Sequence, residues 1–255
     1  MTSKQQSIIG GATVQGITGL ICKIIAVLYR IPLSWMIGDQ GIGTYQLVFP
    51  TYNLLLTISS AGLPVAISRI VSYNLAKGDV RNTKRTFKNA LIILSAVGII
   101  GTILMVVFRV FLSNRVGDPE TVMGFMAIAP AVAIVCTMSA FRGFMQGQQN
   151  MRPTAISQLI EQIGKIVIAL PLAYLGSKVG VTEAGEINLG YAAAGALLGT
   201  SIAEAFALAF MFLVYNRRKH DLDTYTQNED IPEKSWKQIT HSLFSLAIPI
   251  TIGAS

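Results

Sequence analysis

The chain has 255 residues, 52% of them hydrophobic and only 13% charged, with a mean hydropathy of +0.54. An average soluble domain carries about 25% charged residues, so this composition excludes an ordinary water-soluble globular protein and points to an integral membrane protein. The net charge of +7 and pI near 9.5 need no nucleic-acid partner, because basic residues collect in the cytoplasmic loops of membrane proteins.

The first apolar run covers 8–33, and Lys4 is the only charged residue before it. It is too long for the apolar region of a signal peptide and lacks a small-residue cleavage site, so it is expected to stay in the mature protein. Further stretches near the ~20 residues that cross the hydrocarbon as a helix cover 47–73, 90–112, 122–145, 154–175 and 191–215. A seventh apolar run opens at Leu243 and passes Pro249 and Ile252 before Ser255, too short to span and without a polar anchor after it. The expected fold is therefore all-α: a polytopic transmembrane helix bundle of six complete spans plus the start of a seventh. Residues 1–215 form a six-helix lobe, 216–240 a cytoplasmic linker and 241–255 the opening of a second lobe, so the chain reads as the first part of a larger protein.

The connecting segments set the orientation. Lys77, Arg81, Lys84, Arg85 and Lys88 follow the second span, Arg152 joins the fourth and fifth, and Arg217, Arg218, Lys219, Lys234 and Lys237 follow the sixth. The alternate loops carry Asp39, then Arg115 with Asp118 and Glu120, then Lys178 with Glu183 and Glu186. The positive-inside rule places the first group, and with it the N-terminus, in the cytoplasm.

Several spans hold residues that let helices approach or bend. Gly10, Gly11, Gly16 and Gly19 crowd the first, Pro64 interrupts the second, and Gly195, Gly199 and Ala203 recur every four residues in the sixth as a small-residue packing stripe. Such helices occur in alternating-access transporters and also as ordinary packing devices.

The chemistry lies in charges left inside the apolar runs. Gly16, Gly19, Lys23, Ala26 and Arg30 share one side of the first helix. Lys23 lies roughly 22 Å along from Ile8 at 1.5 Å per residue, too deep to reach an interface without strain. For Arg30, just before Pro32, two readings stand: it snorkels outward or it lines a polar interior. The same alternatives hold for Arg69, about one turn from the cytoplasmic end of the second span, and for Arg142, similarly placed in the fourth. On the fifth span Gln158, Glu161, Gln162 and Lys165 make a polar face that cannot point at lipid, with Glu161 and Lys165 spaced for an intrahelical ion pair. Glu204, mid-way along the sixth span, is either a partner for one of the cations or a proton-linked switch.

Five interior cations thus face two interior carboxylates. An unpaired buried cation is unfavourable unless water or an anionic ligand compensates it, and a phosphate or pyrophosphate suits Lys and Arg. Cys22, Cys136, His220 and His241 have no metal-ligand or redox spacing, so neither metal, cofactor nor disulfide is expected. There is no G-x-x-x-x-G-K-[ST] motif, which argues against ATP hydrolysis in this segment. The membrane potential is an available driver, at about 2.3 kcal/mol per charge per 100 mV.

Four stretches carry a resemblance: GDQGIGTYQLVFP at 38–50, SAGLPVAISRIVS at 60–72, RGFMQGQQNMRPT at 142–154 and SQLIEQ at 157–162. They resemble the polysaccharide biosynthesis branch of the multidrug/oligosaccharidyl-lipid/polysaccharide (MOP) exporter superfamily. The likeness is to the stage V sporulation protein B group and to lipid II flippases of the MurJ type, and IPITI at 248–252 resembles the opening of that family's second lobe. The resemblance implies two lobes related by pseudo-two-fold symmetry around a central cationic cavity that alternates between the membrane faces. It implies a non-enzymatic flippase whose partners are a lipid-linked oligosaccharide, membrane lipids and a second lobe. The cargo would be a polyprenyl-pyrophosphate-linked saccharide, lipid II or a polysaccharide repeat unit, with Lys23, Arg30, Arg69 and Arg142 as substrate-binding candidates. Gln158, Glu161, Gln162, Lys165 and Glu204 would be the polar or coupling residues. The competing readings are a cation-coupled multidrug exporter, which would place carboxylates on a first helix that here has none, and a non-transporting scaffold for cell-wall or spore assembly.

Overall fold

The computed structural model describes residues 3–60, 62–180, 189–219, 222, 227–228 and 231–254. Glu183 and Glu186, on which the expected orientation partly rests, lie outside them. The described residues are helical nearly throughout, in the order α1 (Ser3–Ser60), α2 (Leu63–Ala76), α3 (Val80–Val107), α4 (Arg109–Val116), α5 (Thr121–Gly147), α6 (Arg152–Gly164), a π-helical turn (Lys165–Ala169), α7 (Leu170–Val179), α8 (Leu189–Arg218) and α9 (Trp236–Ala254).

Among the described residues, five helices are long and apolar enough to cross a membrane, one fewer than the six expected spans. The difference lies in α1, whose 58 residues take in the first span and about half of the second. Gly38 breaks it at φ 64° and ψ −178°, a left-handed conformation that glycine adopts without the Cβ penalty. Residues 26 and 50 would stand about 36 Å apart on a straight helix, yet both line one small cavity. Gly38 therefore folds α1 into a V with a first arm (3–37) and a second arm (39–60). The remainder of the expected second span is α2, started afresh by Pro64 in its first turn, where a missing N–H costs nothing.

Helix α5 is the hub, packing against α1, α2, α3 and α8. Its contact with α2 is a backbone approach: a Cβ at Gly143 would lie 2.7 Å from the Pro64 carbonyl oxygen, and one at Gly147 2.6 Å from Val71 Cβ. The Thr102 hydroxyl of α3 enters the α5 hydrogen-bond ladder, donating to the Ala129 carbonyl at 2.8 Å and accepting from the Ala133 N–H at 3.2 Å. In bilayer hydrocarbon such a stitch needs no competing water.

The small-residue stripe of α8 packs where the fifth span changes helix type. Gly195, Gly199 and Ala203 lie against Leu172, Ala169 and Gly164, and a Cβ at Gly164 would stand 2.6 Å from Ala203 Cβ. The expected fifth span is one helical rod, Arg152 to Val179, with the π turn inside it.

The basic cluster expected between the second and third spans is mostly helix, since α3 begins at Val80, capped by Asp79 accepting from the Asn82 N–H at 3.0 Å. Arg81, Lys84 and Lys88 are exposed while Asn82, Thr86 and Asn89 are buried. The buried polar row grips the segment before α9: the Asn82 amide donates to the Pro232 carbonyl and its oxygen accepts from the Lys234 N–H. Asn89 donates to the Trp236 carbonyl at 3.0 Å and to Thr240 Oγ1 at 2.9 Å. Arg81 and Arg85 both pair with Glu233, at 3.3 and 2.9 Å. Helix α9 starts seven residues before the apolar run that marks it in the sequence and packs on α2 and α3.

Two outcomes test this packing. Gly199→Ala, which drives a methyl into Ala169, should cost about 1–3 kcal/mol by overpacking; Gly19→Ala, with nothing within 4 Å, should be neutral or stabilising by up to about 1 kcal/mol. Thermal unfolding in detergent compares them. Asn82→Ala, which removes the grip on 232–234, should speed amide exchange at the start of α9 about tenfold, read by hydrogen–deuterium exchange, if the lost bonds are worth about 1–2 kcal/mol.

Candidate functional site

The V of α1 encloses a cavity of about 280 Å³ against the fifth-span rod. Ala26, Tyr29, Arg30 and Leu33 line it from the first arm, Ile42, Tyr45, Gln46, Phe49 and Pro50 from the second, and Gln162 and Lys165 from the rod. Two cations, two amides and two phenols thus sit on a wall that is otherwise aliphatic and aromatic, and no carboxylate is among the lining residues. Lys165 is the first residue of the π turn. Such turns are rare and gather at functional sites.

The carboxylates of this region are engaged elsewhere. Glu161 Oε1 accepts from Arg142 Nη2 at 2.6 Å, and the same guanidinium donates to Ser157 Oγ through Nε at 3.1 Å and Nη2 at 2.9 Å. This corrects the expected Glu161–Lys165 pair. The planar fork of Arg142 reaches a hydroxyl and a carboxylate at once, whereas Lys165 turns to the cavity. Arg142 is therefore an internally paired cation, joining α5 to α6. Glu204, 5% exposed, has no cation in salt-bridge contact among the described residues; its Oε1 accepts from the Tyr52 hydroxyl at 2.8 Å, and its Oε2 has no protein partner.

Of the sequence candidates, the structure brings Arg30, Gln162 and Lys165 into one cavity and ties Glu161 to Arg142 beside it. Lys23 and Arg69, expected to share the cavity with Arg30, are both exposed and outside its lining. For Arg69 the reason is the docking of α2: Ala66, Ile67, Val71 and Asn74 are buried, which leaves Val65, Arg69 and Tyr73 on the outer face. Gln158 is half-buried, with its Oε1 unpartnered. Sequence reasoning missed the aromatic side of the site. Tyr45, Phe49 and Tyr52 follow at i, i+4 and i+7, one helix face; Tyr45 stacks on Phe49 with ring centroids 5.5 Å apart, and Phe49 meets Tyr52 at a tilt, 5.8 Å apart. That spacing was readable; the bond from Tyr52 to Glu204, across 152 residues, was not.

The profile described as "Polysaccharide biosynthesis protein" matches residues 8–253. The chain belongs to that family. Among curated relatives of this polysaccharide biosynthesis family member, stage V sporulation protein B of Bacillus subtilis (strain 168) is 30% identical over 254 residues, covering 97% of this chain and 46% of the relative. Lipid II flippase MurJ of the same organism is 32% identical over 240 residues, covering 90% and 43%. The chain thus spans less than half the length of these relatives. Among solved structures, a MOP superfamily transporter from Pyrococcus furiosus, described as having a binding pocket of reverse polarity that suggests a different function, matches with a TM-score of 0.72. The identity is 17%, over 99% of this chain and 55% of that one. This family member therefore has half of a MOP-type fold and is a multi-pass membrane protein.

The Arg142–Glu161 bridge gives a direct test. Its side chains keep only 16% and 13% exposure, so Glu161→Gln should destabilise the bundle by about 2–3 kcal/mol by stranding a desolvated guanidinium, and Arg142→Met added to it should recover part of the loss. A double-mutant cycle on thermal stability in detergent measures the coupling; additive effects would mean that the two side chains act independently.

Proposed function

We propose that this chain is the first lobe of an alternating-access flippase that moves a polyprenyl-pyrophosphate-linked saccharide from the cytoplasmic to the outer leaflet of the cell membrane. The observation that carries the proposal is the charge balance of the α1 cavity: Arg30 and Lys165 line it, no carboxylate does, neighbouring Glu161 is bridged to Arg142, and Glu204 bonds the Tyr52 hydroxyl through one oxygen. Unpaired cations beside an apolar wall suit an amphiphilic anion, with the phosphates against Arg30 and Lys165. An organic cation would meet like charge there, which disfavours the multidrug reading, and a scaffold has no use for the cations.

In this proposal residues 1–215 form the lobe, 216–240 the linker and 241–255 the start of a second lobe that completes the cavity wall. The N-terminus is cytoplasmic, as the placement of Arg81, Lys84, Arg152, Arg217 and Arg218 supports. Lys23, seven residues before Arg30 on the same arm, extends the cationic surface along which the headgroup passes. The kinship with a lipid II flippase and with a sporulation protein supports a lipid-linked saccharide as cargo.

The test is ligand binding by the purified protein. Arg30→Gln with Lys165→Gln should weaken polyprenyl pyrophosphate binding in the α1 cavity at least about tenfold, since each charged hydrogen bond contributes about 1.5–3 kcal/mol. Thermal stability should hold or rise, because unpaired cations are removed. Tighter binding of an organic cation than of the pyrophosphate by the unmodified protein would overturn the proposal.

A further inference from the structure

A second polar cavity, of about 540 Å³, lies at the other end of the first arm of α1. Gly10 and Gly11 form one side, the α5–α6 turn with Gln149, Asn150 and Arg152 another, and Arg218, the last residue of α8, closes it. No carboxylate lines it, and neither arginine makes an ion pair among the described residues. Its walls are set by tight local structure. Gln149 takes a left-handed φ of 60°, with its N–H bonded to the Gln146 carbonyl at 2.9 Å, and the Asn150 N–H closes onto the Met145 carbonyl at 3.0 Å. These bonds cap α5 and hold Arg152 at the start of α6. Met151 Cγ would stand 3.0 Å from a Cβ at Gly11, so the glycine lets the turn seat against α1.

We infer that this cavity binds the phosphate or diphosphate of a lipid headgroup through Arg152 and Arg218, as a capture station ahead of the α1 cavity. Two guanidinium forks free of carboxylates match phosphate geometry, and the N-terminus of α6 adds a favourable partial charge. Both arginines are exposed at span ends, the level at which lipid phosphates lie. From Gly11 the first arm leads to Lys23 after about 18 Å and to Arg30 after about 28 Å, so a headgroup released here has cations ahead of it on the same helix. The inference rests on the flippase reading for its direction of travel, while the phosphate site itself stands on the geometry of this cavity. The alternative is that Arg152 and Arg218 only set topology.

Pyrophosphate binding in phosphatidylcholine nanodiscs separates the two. With the α1 cavity silenced by Arg30→Gln and Lys165→Gln, inorganic pyrophosphate should still bind, and adding Arg152→Gln with Arg218→Gln should weaken that binding about tenfold or more. Equal binding by the two backgrounds, or none in the first, would overturn the capture site; the flippase reading fails instead if, with Arg152→Gln and Arg218→Gln already present, adding Arg30→Gln and Lys165→Gln leaves polyprenyl pyrophosphate binding unchanged. Arg152→Lys with Arg218→Lys keeps the topogenic charge and should bind between the parent and the Gln pair; binding no better than the Gln pair by a correctly inserted Lys pair would still mark a guanidinium site. Displacement of pyrophosphate by polyprenyl pyrophosphate would identify the cargo headgroup as occupant, and displacement by phosphatidylglycerol a bulk anionic lipid. Either supports the site.

Discussion

The left-handed break at Gly38 is the constraint on which the site depends. Without it α1 would be a straight rod of 58 residues, about 87 Å long and nearly three times the ~30 Å hydrocarbon core. With it, the two arms fold toward each other and enclose the space that Arg30 and Lys165 share. The break also brings the Tyr45–Phe49–Tyr52 face into the lobe, where Tyr52 meets Glu204 of α8. One backbone conformation thus sets both the polar cavity and the buried carboxylate contact beside it.

Close helix approach holds the rod opposite that V. In a bilayer, lipid tails solvate apolar side chains as well as another helix does, so association depends on packing and on buried polar bonds. Gly195, Gly199 and Ala203 permit α8 to touch the backbone of the fifth-span rod where the π turn widens it. Bulkier residues would push the rod outward, and Lys165 with it. The Arg142–Glu161 bridge ties the same rod to α5 a turn earlier, so Lys165 extends from a helix fixed on two sides.

Much of this was legible in the sequence because the bilayer restricts the options. Composition and run lengths gave an all-helical bundle, and the four-residue spacing of Gly195, Gly199 and Ala203 marked a packing stripe that the structure places against the fifth span. What the pattern did not reveal depended on long-range geometry or on a single backbone angle. A hydropathy run cannot register that Gly38 joins two spans into one kinked helix. It also ends where apolar residues end, so α3 and α9 extend beyond it on turns stabilised by Asp79, Asn82 and Asn89. Helical spacing offered Lys165 as the partner for Glu161; only the approach of α5 made Arg142 the better one, because its fork could also satisfy Ser157.

The disposition of charge carries the functional argument. A carboxylate and a cation buried together can neutralise one another, and Arg142 with Glu161 does so. Glu204 could have neutralised a second cation, yet its hydrogen bond goes to the neutral hydroxyl of Tyr52. Exposed Arg30 and half-buried Lys165 are thus left facing an apolar-walled space, an arrangement that raises the energy of the empty lobe by mutual repulsion. A lobe selected only for stability would replace either cation with an aliphatic residue at little cost. Retaining both is reasonable if a multiply charged anion occupies the space for part of a working cycle, because that ligand is stabilised by the same field that destabilises the empty state. The field of two unpaired cations also attracts a diphosphate more strongly than a single phosphate, since the Coulomb interaction grows with the charge of the ligand.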